Sequence, residues 1–378
     1  MAQHDRAALY LGLISGTSAD GIDGALALFD PAPRLHAAMT YPYPPQLRAR
    51  ILELAQGAGA TTLDEVGALD ASIGACFAEA AASLLEHAGV SAADVRAIGS
   101  HGQTVRHRPN ATPRFTLQLG DPSLIAERLQ ITTVADFRRA DLAAGGQAAP
   151  LLPIFHAALF ACPDVERGVL NLGGISNLTV LRTDGSVLGF DVGPANGLLD
   201  AWCELHTGEA FDRDGAFASR GQVDHTLLRR LMAEEYFRAA PPKSTGREHF
   251  HLDWLRARLH DGTPEPEDVQ ATLVELSARS VADAVQSHAA GAREILVCGG
   301  GVHNPLLMHA LRSALAPRAV RNTAELGVDP DYLEATAFAW LARQRLAGQP
   351  GNLPSVTGAR GPRVLGAVYA PIPAGSNP

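Results

Sequence analysis

Residues 8–29, ALYLGLISGTSADGIDGALALF, decide the fold, because they place two apolar strands on either side of a short polar turn. The Asp20-Gly21 pair in that turn is typical of a tight hairpin. Residues 168–181, GVLNLGGISNLTVL, repeat the pattern of strand, glycine turn and strand in the other half of the chain. The repeat is weak as a sequence match, but it indicates one structural device that is used twice.

A third segment adds helices to this pattern. In residues 294–315, EILVCGGGVHNPLLMHALRSAL, an apolar strand leads through Gly299, Gly300 and Gly301 into a predicted helix. Further helices are predicted by a capping box at residues 62–65 and by apolar side chains that follow it at helical spacing. Strands that alternate with helices, together with paired hairpins, predict an α/β chain with mixed sheets.

The length of 378 residues favours two domains. We expect an N-terminal domain over residues 1–138, completed by part of residues 345–370, and a C-terminal domain over residues 139–344. The small, glycine-rich segment 140–150, ADLAAGGQAAP, is predicted to link them.

Composition excludes several classes of protein. The formal net charge of −9 disfavours a nucleic-acid-binding protein, which usually presents a basic surface. Lys243 is the only lysine and follows a proline, so the chain has neither a P-loop nor the lysine of a protein kinase. The polar start lacks a secretory signal, the longest apolar stretch (148–162) is too short for a bilayer, and the four cysteines are scattered. We therefore expect a cytoplasmic protein that does not enter a membrane.

The first turn is a candidate phosphate-binding loop. Its glycines let the backbone approach a ligand, and successive N–H groups can bind anionic oxygens. Thr17 and Ser18 add hydroxyl donors, and the carboxylate of Asp20 suits Mg²⁺ that is bound through water. An ordinary polar hairpin would look the same on its own. The second turn, at Gly173 and Gly174, favours the functional interpretation, because two such turns are suited to bind one polyphosphate.

Asp191 is the candidate catalytic base. In residues 189–196, GFDVGPAN, a short strand places Asp191 at its carboxyl end, where ligands collect in α/β sheets. A carboxylate there can accept a proton from a hydroxyl group or a water. The alternative is an aspartate that caps a helix or stabilises a turn. The glycine run at 299–301 has a similar alternative, an ordinary α/β connection, and we expect His303 and Asn304 to be caps or turn residues.

Several polar clusters in predicted loops contain the side-chain types that bind sugars. Amide, carboxylate and guanidinium groups share hydrogen bonds with sugar hydroxyls. Each cluster on its own is more typical of a solvated loop. The clusters are residues 100–104 (SHGQT), 136–139 (DFRR) and 243–247 (KSTGR), together with Glu334 at the start of a predicted helix.

An ordered series of motifs resembles that of the bacterial anhydro-N-acetylmuramic acid kinases. The motifs are GLISGTSADGID, GSHGQT, ADFRRADLAAGGQAAPLLP, LNLGGISNLT, GFDVGPAN, DRDG, PPKSTGREHF, VCGGGVHNP and LEATAFAWLA. The resemblance covers about residues 9–370, and the order and spacing of the motifs are far more specific than any one of them. The resemblance implies the fold of actin, hexokinase and Hsp70, in which two α/β domains have a nucleotide cleft between them.

The resemblance also implies roles for individual residues. Asp191 matches the catalytic base of the family, and Asp20 lies at the position near Mg²⁺. The implied ATP-binding residues are Gly16, Thr17, Ser18, Ala19, Asp20, Gly21, Ile22, Asp23, Gly173, Gly174, Gly299, Gly300 and Gly301. The candidate sugar-binding residues are His101, Gln103, Arg138, Gly193, Asn196 and Glu334. Two departures from the family pattern, Ala19 and Ala195, remove no functional group.

The implied reaction couples two steps. Asp191 would deprotonate a water that opens the 1,6-anhydro ring, and the released O6 would attack the γ-phosphate of ATP. The products would be N-acetylmuramic acid 6-phosphate and ADP, in peptidoglycan recycling. The resemblance implies ATP and Mg²⁺ as cofactors and a homodimer as the assembly.

Two alternative functions fit the same sequence less well. One is a kinase of this fold that phosphorylates a free sugar or a carboxylate, with Asp191 activating the substrate directly. The other is an actin-like or Hsp70-like ATPase that uses domain motion to bind partners. No appended peptide-binding module is visible in the sequence, which disfavours the second.

Overall fold

Two mixed sheets form the framework of this computed structural model, which describes residues 8–16, 18–30, 32–56, 61–246, 249–259 and 264–371. The strands are β1 (Leu9–Ser15), β2 (Gly21–Leu28), β3 (Arg34–Pro42), β4 (Val95–Arg108), β5 (Phe115–Leu119), β6 (Thr133–Ala135), β7 (Arg167–Leu172), β8 (Ile175–Leu181), β9 (Val187–Pro194), β10 (Glu294–Cys298), β11 (Ala319–Asn322) and β12 (Ala367–Tyr369). The helices are α1 (Pro45–Gln56), α2 (Leu63–Ala88), α3 (Pro122–Leu129), α4 (Arg139–Ala143), α5 (Pro153–Phe160), α6 (Asn196–Thr207), α7 (His225–Met232), α8 (Glu235–Arg238), α9 (Leu252–Arg256), α10 (Pro266–His288), α11 (Pro305–Leu315), α12 (Leu333–Leu346) and α13 (Pro354–Thr357).

The two sheets share one strand order. In the first sheet, β3, β2, β1, β4 and β6 lie side by side; the β3–β2 and β2–β1 pairs are antiparallel, whereas β1–β4 and β4–β6 are parallel. In the second sheet, β9, β8, β7, β10 and β11 follow the same order with the same directions. Strands β5 and β12 extend the first sheet. This repetition confirms the predicted α/β class with two actin-like domains and extends the hairpin repeat to whole sheets.

Contacts divide the chain into two units. Unit 1 comprises Met1–Phe155 and Tyr332–Pro378, and unit 2 comprises His156–Asp331. The C-terminal segment therefore joins the N-terminal one. The divisions lie elsewhere than the expected ones after residues 138 and 344, because α4 and α12 are packed within unit 1.

Glycines on β1 and β4 let α12 lie directly against the sheet of unit 1. A Cβ at Gly12 would overlap the carbonyl oxygen of Ala335, and one at Gly99 would overlap that of Phe338. Any side chain at either glycine would therefore push the helix away from the strands. This close contact fixes the start of α12, where Glu334 lies.

The segment predicted to be a linker belongs to the interior of unit 1. The Asp141 side chain is fully buried, and its carboxylate accepts hydrogen bonds from Asn352 Nδ2 (2.6 Å), Thr357 Oγ1 (2.7 Å) and the Ala148 N–H (2.8 Å). Gly146 is required here, because a Cβ at that position would overlap the carboxylate. The linker prediction is therefore wrong: these small residues serve close packing rather than flexibility.

Helix α2 begins at the predicted capping box, with Thr62 as its N-cap and Glu65 as the reciprocal acceptor. Among the described residues, it is the one helix that is long and apolar enough to span a membrane by length and composition. Its apolar side chains, including Ile73, Phe77 and Leu84, are buried in the core of unit 1. The helix therefore serves as a core helix here.

The core of unit 2 is built around α10. Val269, Leu273 and Leu276, which follow one another along α10 at helical spacing, are all buried in the core of unit 2. Their periodicity is that of a helix with a wide apolar face. This packing holds β9, which carries the candidate base, and α6, which follows it.

Candidate active site

The turn between β1 and β2, here called the first hairpin, has an ordered internal structure. The Ala19 N–H donates to the Gly16 carbonyl oxygen at 3.1 Å, and Ser18 Oγ donates to Asp20 Oδ1 at 3.0 Å. Ala19 is fully buried with a φ of 50°, a left-handed conformation that disfavours bulky side chains. Gly16 and Asp20 are exposed, so the turn offers backbone and a carboxylate to a ligand. Thr17 lies outside the described residues.

Side chains of unit 1 hold the first hairpin in place. Gln103, fully buried on β4, donates from Nε2 to the Gly16 carbonyl oxygen at 3.0 Å. Arg48 on α1 donates from Nε to the Ala19 carbonyl oxygen at 3.2 Å, and the Tyr43 hydroxyl donates to Gln103 Oε1 at 3.5 Å. The sequence predicts a sugar contact for Gln103, whereas both ends of its amide are used inside the protein. Its observed role is to support the hairpin, and the sugar contact stays a prediction.

The other members of the predicted ATP set in unit 1 lie on β2. Gly21 and Ile22 are buried, and Asp23 Oδ1 accepts a hydrogen bond from Thr40 Oγ1 at 2.6 Å. The described residues contain no group of three or more His, Cys, Asp or Glu side chains that could hold a metal ion. The single exposed carboxylate of Asp20 fits Mg²⁺ that keeps its waters and is bound mainly through ATP phosphates.

The second hairpin, at Gly173 and Gly174 between β7 and β8, is tied to the start of α6. The N–H groups of Asn196 and Ala195 donate to the carbonyl oxygens of Gly173 (3.1 Å) and Gly174 (3.2 Å). Asn196 Nδ2 also donates to the Leu172 carbonyl oxygen at 3.0 Å. Asn196 therefore positions this hairpin, and its predicted contact with the sugar stays a prediction.

The glycine run after β10 packs against the second hairpin. A Cβ at Gly299, whose φ is 81°, would overlap atoms of β7, and one at Gly301 would lie 2.6 Å from the Leu172 Cβ. Gly300 is exposed, and the nearest atom to a Cβ there is Asn196 Nδ2 at 3.8 Å. Two of the three glycines are thus required for packing, and Gly300 is the one that leaves room for a ligand.

The sequence predicts that a helix follows this run, and one does, after a short 3₁₀ turn. Gly300–His303 forms a 3₁₀ turn, and α11 begins only at Pro305. Asn304 is the N-cap, since its Oδ1 accepts the N–H groups of Leu306 and Leu307 at 3.1 Å. The predicted cap role of Asn304 is therefore confirmed, and the positive end of the α11 dipole is separated from the glycines.

Asp191 lies on β9, next to the strand that follows the second hairpin. It pairs with Asn177, and a β-bulge separates this pair from the Ser176–Gly193 pair. Bulges redirect side chains and often occur beside active sites. The strand continues beyond Asp191 instead of ending there as predicted. Gly193 is buried, and a Cβ there would lie 2.6 Å from Phe237 Cε1, so its observed role is packing and its sugar contact stays a prediction.

Three residues between positions 236 and 245 hold Asp191, and we call them the Asp191 clamp. The Tyr236 hydroxyl donates to the Asp191 carbonyl oxygen at 2.8 Å, and the Asp191 N–H donates to the Lys243 carbonyl oxygen at 3.2 Å. The Thr245 N–H donates to Asp191 Oδ2 at 3.0 Å. These hydrogen bonds hold both the backbone and the carboxylate of Asp191 in place.

Lys243 fastens the clamp. Its Nζ donates to the carbonyl oxygens of Tyr236 (2.9 Å) and Phe237 (3.2 Å), and it lies 4.6 Å from the centre of the Tyr236 ring. Burial lowers the pKa of Lys243, and the nearby charge of Asp191 partly opposes this shift. Burial, helped by the same carboxylate, raises the pKa of Tyr236, which therefore remains a neutral donor.

A further set of polar contacts supports Thr245. Its Oγ1 lies 3.3 Å from His249 Nδ1, and His249 Nε2 lies 3.5 Å from Glu234 Oε1. Burial raises the pKa of Glu234, but the Trp254 hydrogen bond and the charges of His249 and Arg258 outweigh it, so the pKa falls below its usual value. An ionised Glu234 thus anchors the loop. Arg247, in the same loop, lies outside the described residues.

In unit 1, Arg138 and His101 form one hydrogen-bonded pair. Arg138 Nε donates to His101 Nε2 at 2.9 Å, and Arg138 Nη1 donates to the Ala148 carbonyl oxygen at 2.5 Å. Burial and the charge of Arg138 hold the pKa of His101 well below its usual range. His101 is therefore neutral, with its proton on Nδ1, which lies 2.9 Å from the Gly102 carbonyl oxygen. It positions the Arg138 guanidinium.

The fourth predicted sugar residue of unit 1, Glu334, lies on α12, which packs against this pair. The His101 ring lies 4.6 Å from that of Phe338, one helical turn after Glu334 on α12. Phe137, next to Arg138, lies 5.4 Å from the same Phe338 ring. The structure thus brings Arg138, His101 and α12 to one part of unit 1.

The matching family model and the relatives most similar in sequence named here share one description. The family model described as anhydro-N-acetylmuramic acid kinase matches residues 8–371. The chain belongs to that family. The anhydro-N-acetylmuramic acid kinase of Xanthomonas campestris pv. campestris (strain 8004) is 57% identical over 370 residues, 97% of this chain and 98% of the relative. That of Xylella fastidiosa (strain Temecula1 / ATCC 700964) is 53% identical over 367 residues, 96% of each chain.

Membership of the anhydro-N-acetylmuramic acid kinase family makes the chain an enzyme, a phosphotransferase that uses ATP and a small-molecule substrate. This confirms the resemblance drawn from the motifs. Among solved structures, component A of the (R)-2-hydroxyglutaryl-CoA dehydratase of Acidaminococcus fermentans matches with a TM-score of 0.48 at 13% identity, over 90% of this chain and 99% of that chain. The fold of this chain is defined by the strand order that its two sheets share.

The clamp is the part of this family member's site that sequence reasoning missed. The residues 243–247 are interpreted from sequence as a polar loop, whereas Lys243 and Thr245 contact Asp191 directly. One signal was available, since Lys243 is the only lysine in the chain. Tyr236 gave no signal, because its hydroxyl reaches Asp191 only through the tertiary fold.

Proposed function

We propose that the chain opens the 1,6-anhydro ring of 1,6-anhydro-N-acetylmuramic acid with water and phosphorylates O6 with ATP. The products are N-acetylmuramic acid 6-phosphate and ADP, which assigns the enzyme to peptidoglycan recycling and amino-sugar catabolism. The observation that carries this proposal is the clamp that fixes Asp191 beside the second hairpin, in a member of this kinase family.

In this mechanism Asp191 is a general base. A water gives a proton to the carboxylate of Asp191 while its oxygen bonds to C1 of the sugar. The C1–O6 bond breaks, and its electron pair remains on O6. That oxygen attacks the γ-phosphorus of ATP, the bond to the β-phosphate oxygen breaks, and ADP leaves with the electrons. Capture of O6 by phosphorus replaces the proton that an ether oxygen otherwise needs in order to leave.

The clamp supports this role by orientation. Phosphoryl transfer and ring opening both depend on placing the reacting groups within a narrow range of geometry. The Thr245 N–H fixes Asp191 Oδ2, and hydrogen bonds on both sides of the Asp191 backbone prevent the strand from shifting. Asp191 is only partly buried, which leaves its carboxylate accessible to a water.

Binding of ATP is assigned to the two hairpins and to Gly300. The first hairpin in unit 1 and the second hairpin in unit 2 offer glycine backbone with few side-chain obstructions, as phosphate oxygens require. Asp20 is the residue that would hold Mg²⁺, through water. When bound, Mg²⁺ neutralises the charge of the phosphate oxygens. Binding of the sugar is assigned to Arg138, which His101 orients, and to Glu334.

The test of this proposal is the variant Asp191→Asn, which keeps the shape and removes the base. We expect turnover to fall by about 10²–10⁴-fold while ATP and the sugar still bind. The matched control is Asp283→Asn, at an exposed position of α10 in the same unit, and it should behave as the wild type. Near-normal turnover of the Asp191 variant would remove Asp191 from the mechanism.

We further propose that the enzyme acts in the cytoplasm as a homodimer, as the family resemblance implies. Light scattering of the purified chain measures its mass directly. A mass of one chain at concentrations used for activity would contradict the dimer and leave the reaction untouched.

A further inference from the structure

A cavity of about 550 Å³ in unit 1 is lined by none of the residues assigned above to ATP, sugar or catalysis. Its walls come from β5, α4, the turn that follows α4 and the C-terminal segment. Its charged and aromatic residues are Arg114, Phe115, Arg139 and Arg360. The volume is in the range of small-molecule sites, which is roughly 300–1,000 Å³.

Two of the arginines converge on one residue of the turn. Arg114 Nη1 donates to the Gly145 carbonyl oxygen at 2.9 Å, and Arg360 Nη2 donates to the Ala143 carbonyl oxygen at 3.2 Å. A Cβ at Gly145 would lie 3.0 Å from Arg360 Nη1. Gly145, with a φ of 91°, thus contacts one guanidinium group through its carbonyl oxygen, and a side chain at this position would crowd the other.

The charges at this cavity are poorly balanced by the protein. Arg139 has one carboxylate partner, Asp136, at 3.6 Å. For Arg114 and Arg360, no carboxylate lies within ion-pair distance in the described part of the chain; their partners are carbonyl oxygens. Bringing like charges together costs free energy unless a counter-charge is present. In a chain whose net charge is −9, this cluster of cations requires an explanation.

We propose that this cavity binds a phosphate ester, with its oxyanion between Arg114 and Arg360. A guanidinium group donates two parallel hydrogen bonds to a phosphate, and two such groups that face one cavity can share one phosphate. Phe115, whose side chain is 44% exposed, supplies an apolar wall for the rest of the ligand. The site does not depend on the reaction proposed above.

The proposal also accounts for the glycine pair in the segment ADLAAGGQAAP. Gly146 makes room for the buried carboxylate of Asp141 and therefore serves the packing of unit 1. Gly145 makes room for Arg360, an exposed side chain whose position contributes nothing to the core. The positive φ at Gly145 is therefore used to place a cation at the cavity.

Isothermal titration calorimetry tests the site with two probes, inorganic phosphate and glucose 6-phosphate. The titrations contain no nucleotide, because ADP is itself a phosphate ester and would compete for this cavity. We expect the wild type to bind the ester, and the double variant Arg114→Gln/Arg360→Gln to bind it about tenfold more weakly or worse. Arg96→Gln, at an exposed position of β4 in the same unit, is the matched control and should bind as the wild type does.

The two probes separate the possible ligands. Tighter binding of the ester, reduced by Phe115→Ala, supports a ligand with a ring beside the phosphate. Equal binding of both probes supports the oxyanion site and assigns it to free phosphate. Absence of binding at millimolar concentrations, or binding that survives the double variant, would overturn the proposal. Binding of ADP by the double variant shows that it is folded; if it does not bind, the single variants at Arg114 and Arg360 decide.

Discussion

Replacing Lys243 with methionine removes the ammonium that fastens the Asp191 clamp and keeps the length of the side chain. The carbonyl oxygens of Tyr236 and Phe237 lose their donors, at 2.9 and 3.2 Å. A buried acceptor left without a partner costs about 1–3 kcal/mol. Burial of the Lys243 ammonium also costs free energy, as its lowered pKa shows, and the methionine variant avoids that cost. We therefore expect the free energy of unfolding to fall by about 1–3 kcal/mol in total.

The same variant should lower kcat by more than its loss of stability can explain. Without the ammonium, the loop that carries the Thr245 N–H is free to move away from Asp191 Oδ2, which it now contacts at 3.0 Å. Small displacements of a catalytic group cost up to about 100-fold in rate, and we expect a loss of about 10–100-fold in kcat.

A coupled assay of ADP release measures kcat and the KM for ATP, and denaturant unfolding measures stability. The KM for ATP should change little, because Lys243 contacts neither hairpin in the described residues. Lys243→Arg keeps the charge and the donors, and it should recover part of kcat. A Lys243→Met enzyme that is destabilised as expected but retains a kcat within about twofold of the wild type would refute the role of the clamp.

Three other changes have defined outcomes. Gln103→Leu removes the donor to Gly16 and should weaken ATP binding by about tenfold in calorimetry. Gly193→Ala places a methyl group against the Phe237 ring and should lower the free energy of unfolding by about 1–3 kcal/mol in denaturant titrations. Burial lowers the pKa of His156 from 6.5 to about 3. Below pH 6.5, His156 therefore binds a proton in the unfolded chain but stays neutral in the folded chain. The free energy of unfolding decreases as the pH is lowered through this range. His156→Phe should remove about 2 kcal/mol of the stability difference between pH 6.5 and pH 5, measured by denaturant unfolding at both values.

The parts of the fold that the sequence predicts are those set by local chemistry. The two hairpins follow from apolar strands on either side of glycine-containing turns, and α2 follows from its capping box. The cap role of Asn304 is likewise decided within a few residues. The hairpin repeat that the sequence predicts is also present in the structure, where each hairpin belongs to a sheet with the same strand order.

The parts that the sequence did not predict depend on residues far apart in the chain. The segment 140–150 has the composition of a linker, and only the contacts of Asp141 with Asn352 and Thr357 show that it is buried. The clamp likewise depends on residues about fifty positions after Asp191, as loops that pack on a strand end commonly do. The composition of a segment indicates its local conformational preferences. It does not show which residues from distant parts of the chain will pack against that segment.

The central claim is that a water, activated by Asp191, opens the sugar ring as O6 is phosphorylated. It is tested most directly by incubating the enzyme with ATP, Mg²⁺ and 1,6-anhydro-N-acetylmuramic acid in ¹⁸O-labelled water, followed by mass spectrometry of the sugar. Unlabelled N-acetylmuramic acid 6-phosphate in the same water controls for exchange at C1. We expect a 6-phosphate that carries one ¹⁸O at C1 beyond the exchange control. A phosphorylated sugar without that label, or one in which the anhydro ring is still closed, would contradict the account.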